Sequence, residues 1–403
     1  MARSVRGNAH QERLLTRPFV LLAIADLVYF TSVGVTVHTL PLYAAGPIGS
    51  DEAGAGLAFG AFGVTALICR PFAGRLSDTH GRLPLMVFGA LLAALGMVLF
   101  PFVDSLTAVV LIRLLQGVAE AAFFVAAFAL LADIAPPSRM GEAVSYNSLG
   151  LYLGLAFGPP LGEALLEQWG FGAAWTGATV LAVLAALVAM VIIEPERAAD
   201  SDGHGLLIHR PAVLISLGFF TSLVAIGGFM AFASLHSTEI GMEDTSLALL
   251  VYGIVVVVCR VVFAKVPDRL PSLPLGAASL VAIAVGLLIA ATWQATEGLL
   301  LGAVVMAVGV TFSSPAFFSA VFASASPSER GAAAGTASAF IDLGIGFGPI
   351  ALGLVASAQG IPWAFATGAA VAFVGAAWTA SLTRSASNTG RQEGTVSGGP
   401  VST

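Results

Sequence analysis

Residues 69–82 read Cys69-Arg70-Pro71-Phe72-Ala73-Gly74-Arg75-Leu76-Ser77-Asp78-Thr79-His80-Gly81-Arg82, a charged stretch at the end of an apolar run, and part of it returns 190 residues later. At that offset Cys259-Arg260 falls on Cys69-Arg70 and Asp268 on Asp78. The same register carries Pro137 to Pro327, Gly141 to Gly331, Gly154 to Gly344 and Gly158-Pro159 to Gly348-Pro349. One offset linking four separated segments marks an internal duplication.

What is duplicated is a membrane domain. Of the 403 residues, 57% are hydrophobic and 10% charged, where a soluble domain carries about a quarter charged residues. The mean hydropathy is +0.93. Apolar runs near the length that crosses a bilayer as helix fall at 18–40, 54–76, 83–103, 106–133, 143–166, 171–193, 212–236, 246–264, 272–293, 298–325, 331–357 and 362–382. They do not alternate as barrel strands do, so the expected fold is an all-α polytopic membrane protein with twelve transmembrane helices. The polar stretch Glu194–Arg210 divides them into two sets of six, which gives a segment 1–17, a first bundle 18–193, a linker 194–211, a second bundle 212–382 and a disordered tail 383–403. An even number of spans returns the chain to its starting side, so the two repeats run parallel.

Arg and Lys favour cytoplasmic loops. With the N-terminus inside, fourteen of the seventeen basic residues fall at cytoplasmic ends or tails, and Arg70, Arg113 and Arg260 fall within spans. Both termini are therefore expected in the cytoplasm. The first apolar run exceeds the 7–15 residues of a signal-peptide core and is read as retained. Cys69 and Cys259 lie in apolar runs, which argues against disulfides and zinc, and a sequence pI near 5.5 argues against nucleic acid.

Three motifs carry a family resemblance. Residues 74–82 resemble the signature loop of the major facilitator superfamily, G-x-x-x-D-[R/K]-x-G-R, with Gly74, Asp78, Gly81 and Arg82 in place and Thr79 a departure. Gly74 is expected to allow close helix approach, Asp78 to sit at the positive end of a neighbouring helix and Gly81 to permit a tight turn. In the family this loop latches the cytoplasmic side shut. Arg113-Leu-Leu-Gln116-Gly117 is similar to the fourth-helix motif R-x-x-Q-G, associated with proton coupling, and Glu120 departs from it. Gly154-x3-Gly158-Pro159-Pro160-Leu161-Gly162 resembles the fifth-helix antiporter motif, with Glu163 in place of its last glycine. Small residues four apart make a flat packing face.

The remaining candidates follow from helical spacing. Arg113, Gln116, Gly117, Glu120 and Phe124 share one face, and a polar stripe in hydrocarbon faces a cavity or partner charges. Tyr152 and Asp342 are matched by the 190-residue offset, each about 200° from a packing glycine, and are expected to face the central cavity. Asp26, Arg113, Glu120 and Asp342 are the candidate proton-coupling groups, and Tyr29, Gln116, Phe124, Tyr152, Phe312 and Ser313 the candidate substrate contacts. Ser313-Ser314-Pro315 reads as a break in a cavity helix. Arg70, Arg260 and Asp268 join the loop and glycine residues as gate structure.

Together these features resemble the twelve-helix drug:proton antiporter-like (multidrug efflux) branch of that superfamily. The resemblance implies two parallel six-helix repeats around a central cavity and alternating access. It also implies the proton as coupling ion with no other cofactor, a small amphipathic or hydrophobic substrate, and a monomer in the inner (plasma) membrane. A proton symporter for a sugar or metabolite and a lipid or lysolipid translocator are alternatives on the same fold. No metal-ligand cluster, nucleophile motif or phosphate loop points to an enzyme.

Overall fold

A computed structural model describes residues 14–136, 139–194, 209–326 and 329–396; among these, the side chains of Gly141, Asp268, Gly331 and residues 384–396 are not described. The described chain forms twelve long helices: α1 Arg17–Ala45, α2 Glu52–His80, α3 Arg82–Leu99, α4 Leu106–Ile134, α5 Met140–Trp169, α6 Phe171–Met190, α7 Arg210–Glu239, α8 Leu247–Val262, α9 Ser272–Thr292, α10 Thr296–Ala323, α11 Arg330–Gln359 and α12 Ile361–Val396. Helix is the required answer in a bilayer, where each backbone N–H and C=O must be satisfied within the segment. Eleven helices are long and apolar enough to cross a membrane, and α8 is shorter, at 16 residues. Short polar residues start several of them: Thr16 accepts from Phe19 N, Asp51 from Gly54 N and Ser105 from Ala108 N, each satisfying one orphan donor of a first turn.

The duplication is visible in the packing. In the first half α1 packs on α5 and α6, α4 on α2 and α3, and α3 on α6; in the second half α7 packs on α11 and α12, α10 on α8 and α9, and α9 on α12. The halves meet along two repeat-related seams, α2 against α11 and α5 against α8, with α1 touching α7 between them. Alternation of the twelve helices puts the start of α1, the end of α6, the start of α7 and the end of α12 on one side, called here the terminal face, and the α1–α2, α3–α4, α5–α6, α7–α8, α9–α10 and α11–α12 loops on the other.

Two expectations change. α12 continues to Val396, well past the expected edge at 382, so helix covers much of the stretch expected as disordered tail. α10 is one unbroken helix with Pro315 inside it, not a helix broken at Ser313-Ser314-Pro315, because a membrane helix tolerates proline where neighbours re-satisfy the freed groups. Residues 195–208, most of the expected linker, lie outside the described residues.

Candidate functional site

Glycine contacts set the spacing of the helices that carry the charges. A Cβ on Gly158 would lie 2.5 Å from Gly34 Cα, and one on Gly154 2.6 Å from Phe30 C, so the α5 stripe packs backbone to backbone on α1. On the α2–α11 seam a Cβ on Gly63 would lie 2.6 Å from Gly346 Cα and 2.7 Å from Asp342 O. The repeat-related contact on the other seam is Gly253 against Ala156, where a Cβ would lie 2.5 Å from Ala156 Cβ.

Gly74 shares a face of α2 with Gly63, three turns or about 16 Å nearer the terminal face, and a Cβ there would meet nothing within 4 Å. The expectation that Gly74 brings two helices together therefore does not hold in this conformation. The halves touch closely in the part of the seam remote from the termini and diverge towards them. Polar bonds follow the same gradient: Ser357 Oγ donates to Asp51 Oδ2 (2.6 Å), His38 Nδ1 meets Ser234 Oγ (2.9 Å), and Glu163 binds Thr245 and Ser246, all between halves on the far side. Asp51, outside the spans, has its carboxyl held below the ordinary carboxylate value by the Ser357 hydroxyl and the Gly54 N–H.

On the terminal-face side of the Gly63 and Gly253 contacts, two arginines cross between the halves. Arg70 on α2 forms a bidentate ion pair with Asp342 on α11 through Nε–Oδ2 and Nη2–Oδ1, the latter 2.7 Å. Arg260 on α8 donates from Nη2 to Tyr152 OH on α5 (2.9 Å) and lies over the Tyr152 ring, 4.2 Å from its centroid. Arg70 and Arg260 are repeat mates, as are Asp342 and Tyr152. The two crossings are thus one contact built twice, with a carboxylate in one copy and a phenol in the other. Gly154 and Gly344 pack within their own halves, on α1 and α7, which leaves Tyr152 and Asp342, on another face of their helices, to meet the opposite half.

A polar network in the first half adjoins this crossing. Tyr29 stacks on Phe123 at 3.7 Å and donates its hydroxyl to Glu120 Oε2 (3.1 Å). Glu120 lies near enough to Arg70, Asp342 and Arg113 to feel each of their charges. Asp26, 4% exposed, accepts from Asn147 Nδ2 (2.6 Å) through Oδ2, while Asp26 Oδ1 and Asn147 Oδ1 are buried without a hydrogen-bond partner. These two residues line a cleft whose walls include Phe30, Phe124, Phe128 and Leu151. Arg70 also lies over Phe124, 4.9 Å from the ring centroid.

The α4 stripe is divided among neighbours. Arg113 donates to the α2 carbonyls of Ala58 (3.0 Å) and Phe59 (2.9 Å) and to Gln116 Oε1 (2.8 Å). Gln116 reaches Met97 on α3, Glu120 reaches α1, and Phe124 meets Phe30 edge to face. Phe312 packs by Phe263, and Ser313 Oγ donates to Ser222 Oγ (3.1 Å), so these two candidates belong to the second half's own packing and are not brought to the Asp26 cleft.

In the signature loop Gly81 adopts φ +111°, a turn that L side chains resist. Arg82 pairs with Asp78, bonds Ser77 Oγ (3.2 Å) and reaches Asp133 on α4 (3.1 Å), and its backbone N–H donates to Glu194. Asp78 is thus engaged by the arginine one turn on. The Asp268 side chain lies outside the described residues. Gly162 sits against α1, where a Cβ would lie 3.1 Å from Thr39 Oγ1. Pro159 lies inside an unbroken α5. Asn147 escaped the sequence reading. Its signal is a polar residue three before Gly150, in register with the stripe that packs on α1.

Comparison with known proteins agrees with this architecture. The Major Facilitator Superfamily profile matches residues 22–319 and 268–401. The uncharacterized MFS-type transporter STM4428 of Salmonella typhimurium is 28% identical over 372 residues, 88% of this chain and 94% of that protein. A bacterial homolog of the human lysosomal transporter Spinster, solved in an inward-facing and occupied conformation, superposes with TM-score 0.73 at 17% identity over 91% of this chain and 96% of its own. The POT family transporter PepTSo gives TM-score 0.76 at 12% identity, covering 92% and 98% of the two chains. The chain belongs to the Major Facilitator Superfamily and is a multi-pass membrane transporter, not an enzyme.

Proposed function

We propose that the protein is a proton-coupled exporter, an antiporter of a small amphipathic or hydrophobic compound. The observation that carries this reading is Asp26: a buried carboxylate with one oxygen unpartnered, at the wall of an aromatic cleft, within electrostatic range of Glu120, which in turn adjoins the Arg70–Asp342 crossing. An intramembrane carboxylate is costly to keep ionised, so it exchanges a proton for a ligand when one arrives. Phe30, Phe124 and Phe128 supply the apolar surface. Tyr29 and Arg70 relay a change of charge between the halves, and Arg113, tied to α2 carbonyls, holds α4 in register.

In this reading the terminal face is cytoplasmic, in line with the distribution of Arg and Lys, the membrane is the inner one, and the open space at Gly74, beyond the arginine crossings, supports an inward-open state. Gly74, Asp78, Gly81 and Arg82 then close the cytoplasmic side in the opposite state. The glycine- and proline-rich α5 motif and its resemblance to antiporters support export as the direction.

The test uses everted vesicles with an acid interior and a pH-sensitive dye. Addition of an exported amphipathic compound is expected to collapse the gradient in the wild type and to leave it intact in Asp26→Asn and Asp342→Asn at equal expression. Full coupled activity in both variants refutes the assignment.

A further inference from the structure

Glu163 stands where the antiporter motif has its last glycine, and the two seams show what the exchange does. Its repeat mate, Gly353 on α11, packs directly on the first turn of α2: a Cβ there would lie 2.8 Å from Glu52 O and 3.2 Å from Gly56 Cα. A glutamate has no room in that geometry. On the other seam α8 starts at Leu247, five residues later than the repeat register of α2 would place it, a recess of about 7 Å at the helical rise. The Glu163 side chain fills that recess.

The carboxylate, 8% exposed, accepts from backbone and side chain of Thr245 and Ser246, the two residues that precede α8. Oε1 accepts from Thr245 N (2.5 Å) and Thr245 Oγ1 (2.7 Å), Oε2 from Ser246 Oγ (2.5 Å), and both oxygens from Ser246 N (3.3 and 3.1 Å). Ser246 is the N-cap residue of α8 and makes no side-chain cap bond to its own helix. The cap of a second-half helix is therefore supplied by a first-half carboxylate, at the helix end that favours negative charge. Gly162 seats this turn of α5 against Thr39, which brings His38, bonded to Ser234 on α7, into electrostatic range of Glu163.

We infer that Glu163 is the latch of the face remote from the termini: its capture of α8 holds the α5–α8 seam shut there, and its release opens that face. The α2–α11 seam, closed by glycine contact, has no such releasable element at the matched position. The inference rests on alternating access and not on proton antiport. Gln retains the shape of Glu but loses its charge and one acceptor; its NH2 donates to the Ser246 hydroxyl yet opposes the Ser246 N–H, so the cap is weakened.

The experiment measures thiol labelling in a chain with Cys69→Ser and Cys259→Ser. Ser234→Cys reports the remote face and Ser148→Cys, in the cleft wall, the terminal face, each labelled by a membrane-impermeant maleimide from its own side. Adding Glu163→Gln is expected to raise labelling of the first by about tenfold and to lower labelling of the second, as a shift between two states requires. Both rates rising, as general loosening would give, or neither moving, overturns the latch. A normal shift with no proton-driven export keeps the latch and refutes the antiport reading.

Discussion

Adding one methyl group at two positions of α2 separates the geometry of this state from that of its alternate. Gly63 and Gly74 lie eleven residues apart, within about 20° of one face. A Cβ on Gly63 would sit 2.6 Å from Gly346 Cα, and carbon atoms need roughly 3.5 Å, so α2 and α11 must part by about 1 Å. Overpacking of this kind costs about 1–3 kcal/mol. At tenfold per 1.4 kcal/mol, Gly63→Ala disfavours the described conformation by roughly fivefold to more than a hundredfold. Gly74→Ala meets open space here and gains up to about 1 kcal/mol of helix propensity, but obstructs any state in which the two halves close at that level. Thiol labelling of Ser148→Cys from the terminal face reads the difference. Labelling is expected to fall in Gly63→Ala and to hold or rise in Gly74→Ala. The same response from both variants refutes the divergence of the seam and the conformational reading built on it.

Arg70→Leu or Asp342→Leu alone leaves a buried charge unpaired and is expected to cost about 3–5 kcal/mol, whereas the double variant recovers most of that loss; unfolding midpoints in detergent form the cycle. Tyr152→Phe removes the hydroxyl that Arg260 bonds but retains the ring, while Tyr152→Leu also removes a cation–π contact worth about 0.5–2 kcal/mol, so the second variant should unfold at lower temperature than the first. Asp51→Ala loses the α2 cap, about 1 kcal/mol, together with the bond to Ser357. Because the Asp51 carboxyl is held below its ordinary value of 3.8, its contribution is complete above that pH and is lost as pH falls through the lowered value. The difference in melting temperature between wild type and Asp51→Ala should then be flat near neutrality and shrink in acid.

The duplication was legible because packing glycines and the Cys-Arg pairs recur in a register that no neighbour can shift. Arg70 and Asp342 were legible as isolated intramembrane charges, but their pairing was not. They lie 272 residues apart, and only the meeting of α2 with α11 joins them. Glu163 was visible as a departure from a motif without its partners, since Thr245 and Ser246 belong to a polar loop that a span-by-span reading passes over. The α4 stripe shows the limit of the helical wheel. Spacing places five residues on one face, but α1, α2 and α3 all surround α4, and each takes a different member. Ser313-Ser314-Pro315 misled for a related reason: a sequence pattern that breaks a helix in water leaves it intact among packed helices.

Duplication builds two equivalent seams, and rocking of one half against the other opens both at the same face, yet the residues that close the two seams differ. Here the distinction lies in two matched positions. Asp342 neutralises Arg70, while Tyr152, its mate, gives Arg260 a ring and a hydroxyl but no charge. Gly353 closes one seam by backbone contact, while Glu163, its mate, closes the other by a charged cap. With all groups ionised, Asp26, Glu120 and Asp342 balance Arg70, Arg113 and Arg260 across the middle of the molecule. One further positive charge, whether a proton or a cationic ligand, unbalances that set, and a second does so at greater cost. If the protein is the antiporter proposed above, mutual exclusion of proton and substrate needs no direct overlap of their sites, only that both change the same charge balance through Glu120 and the Arg70 crossing.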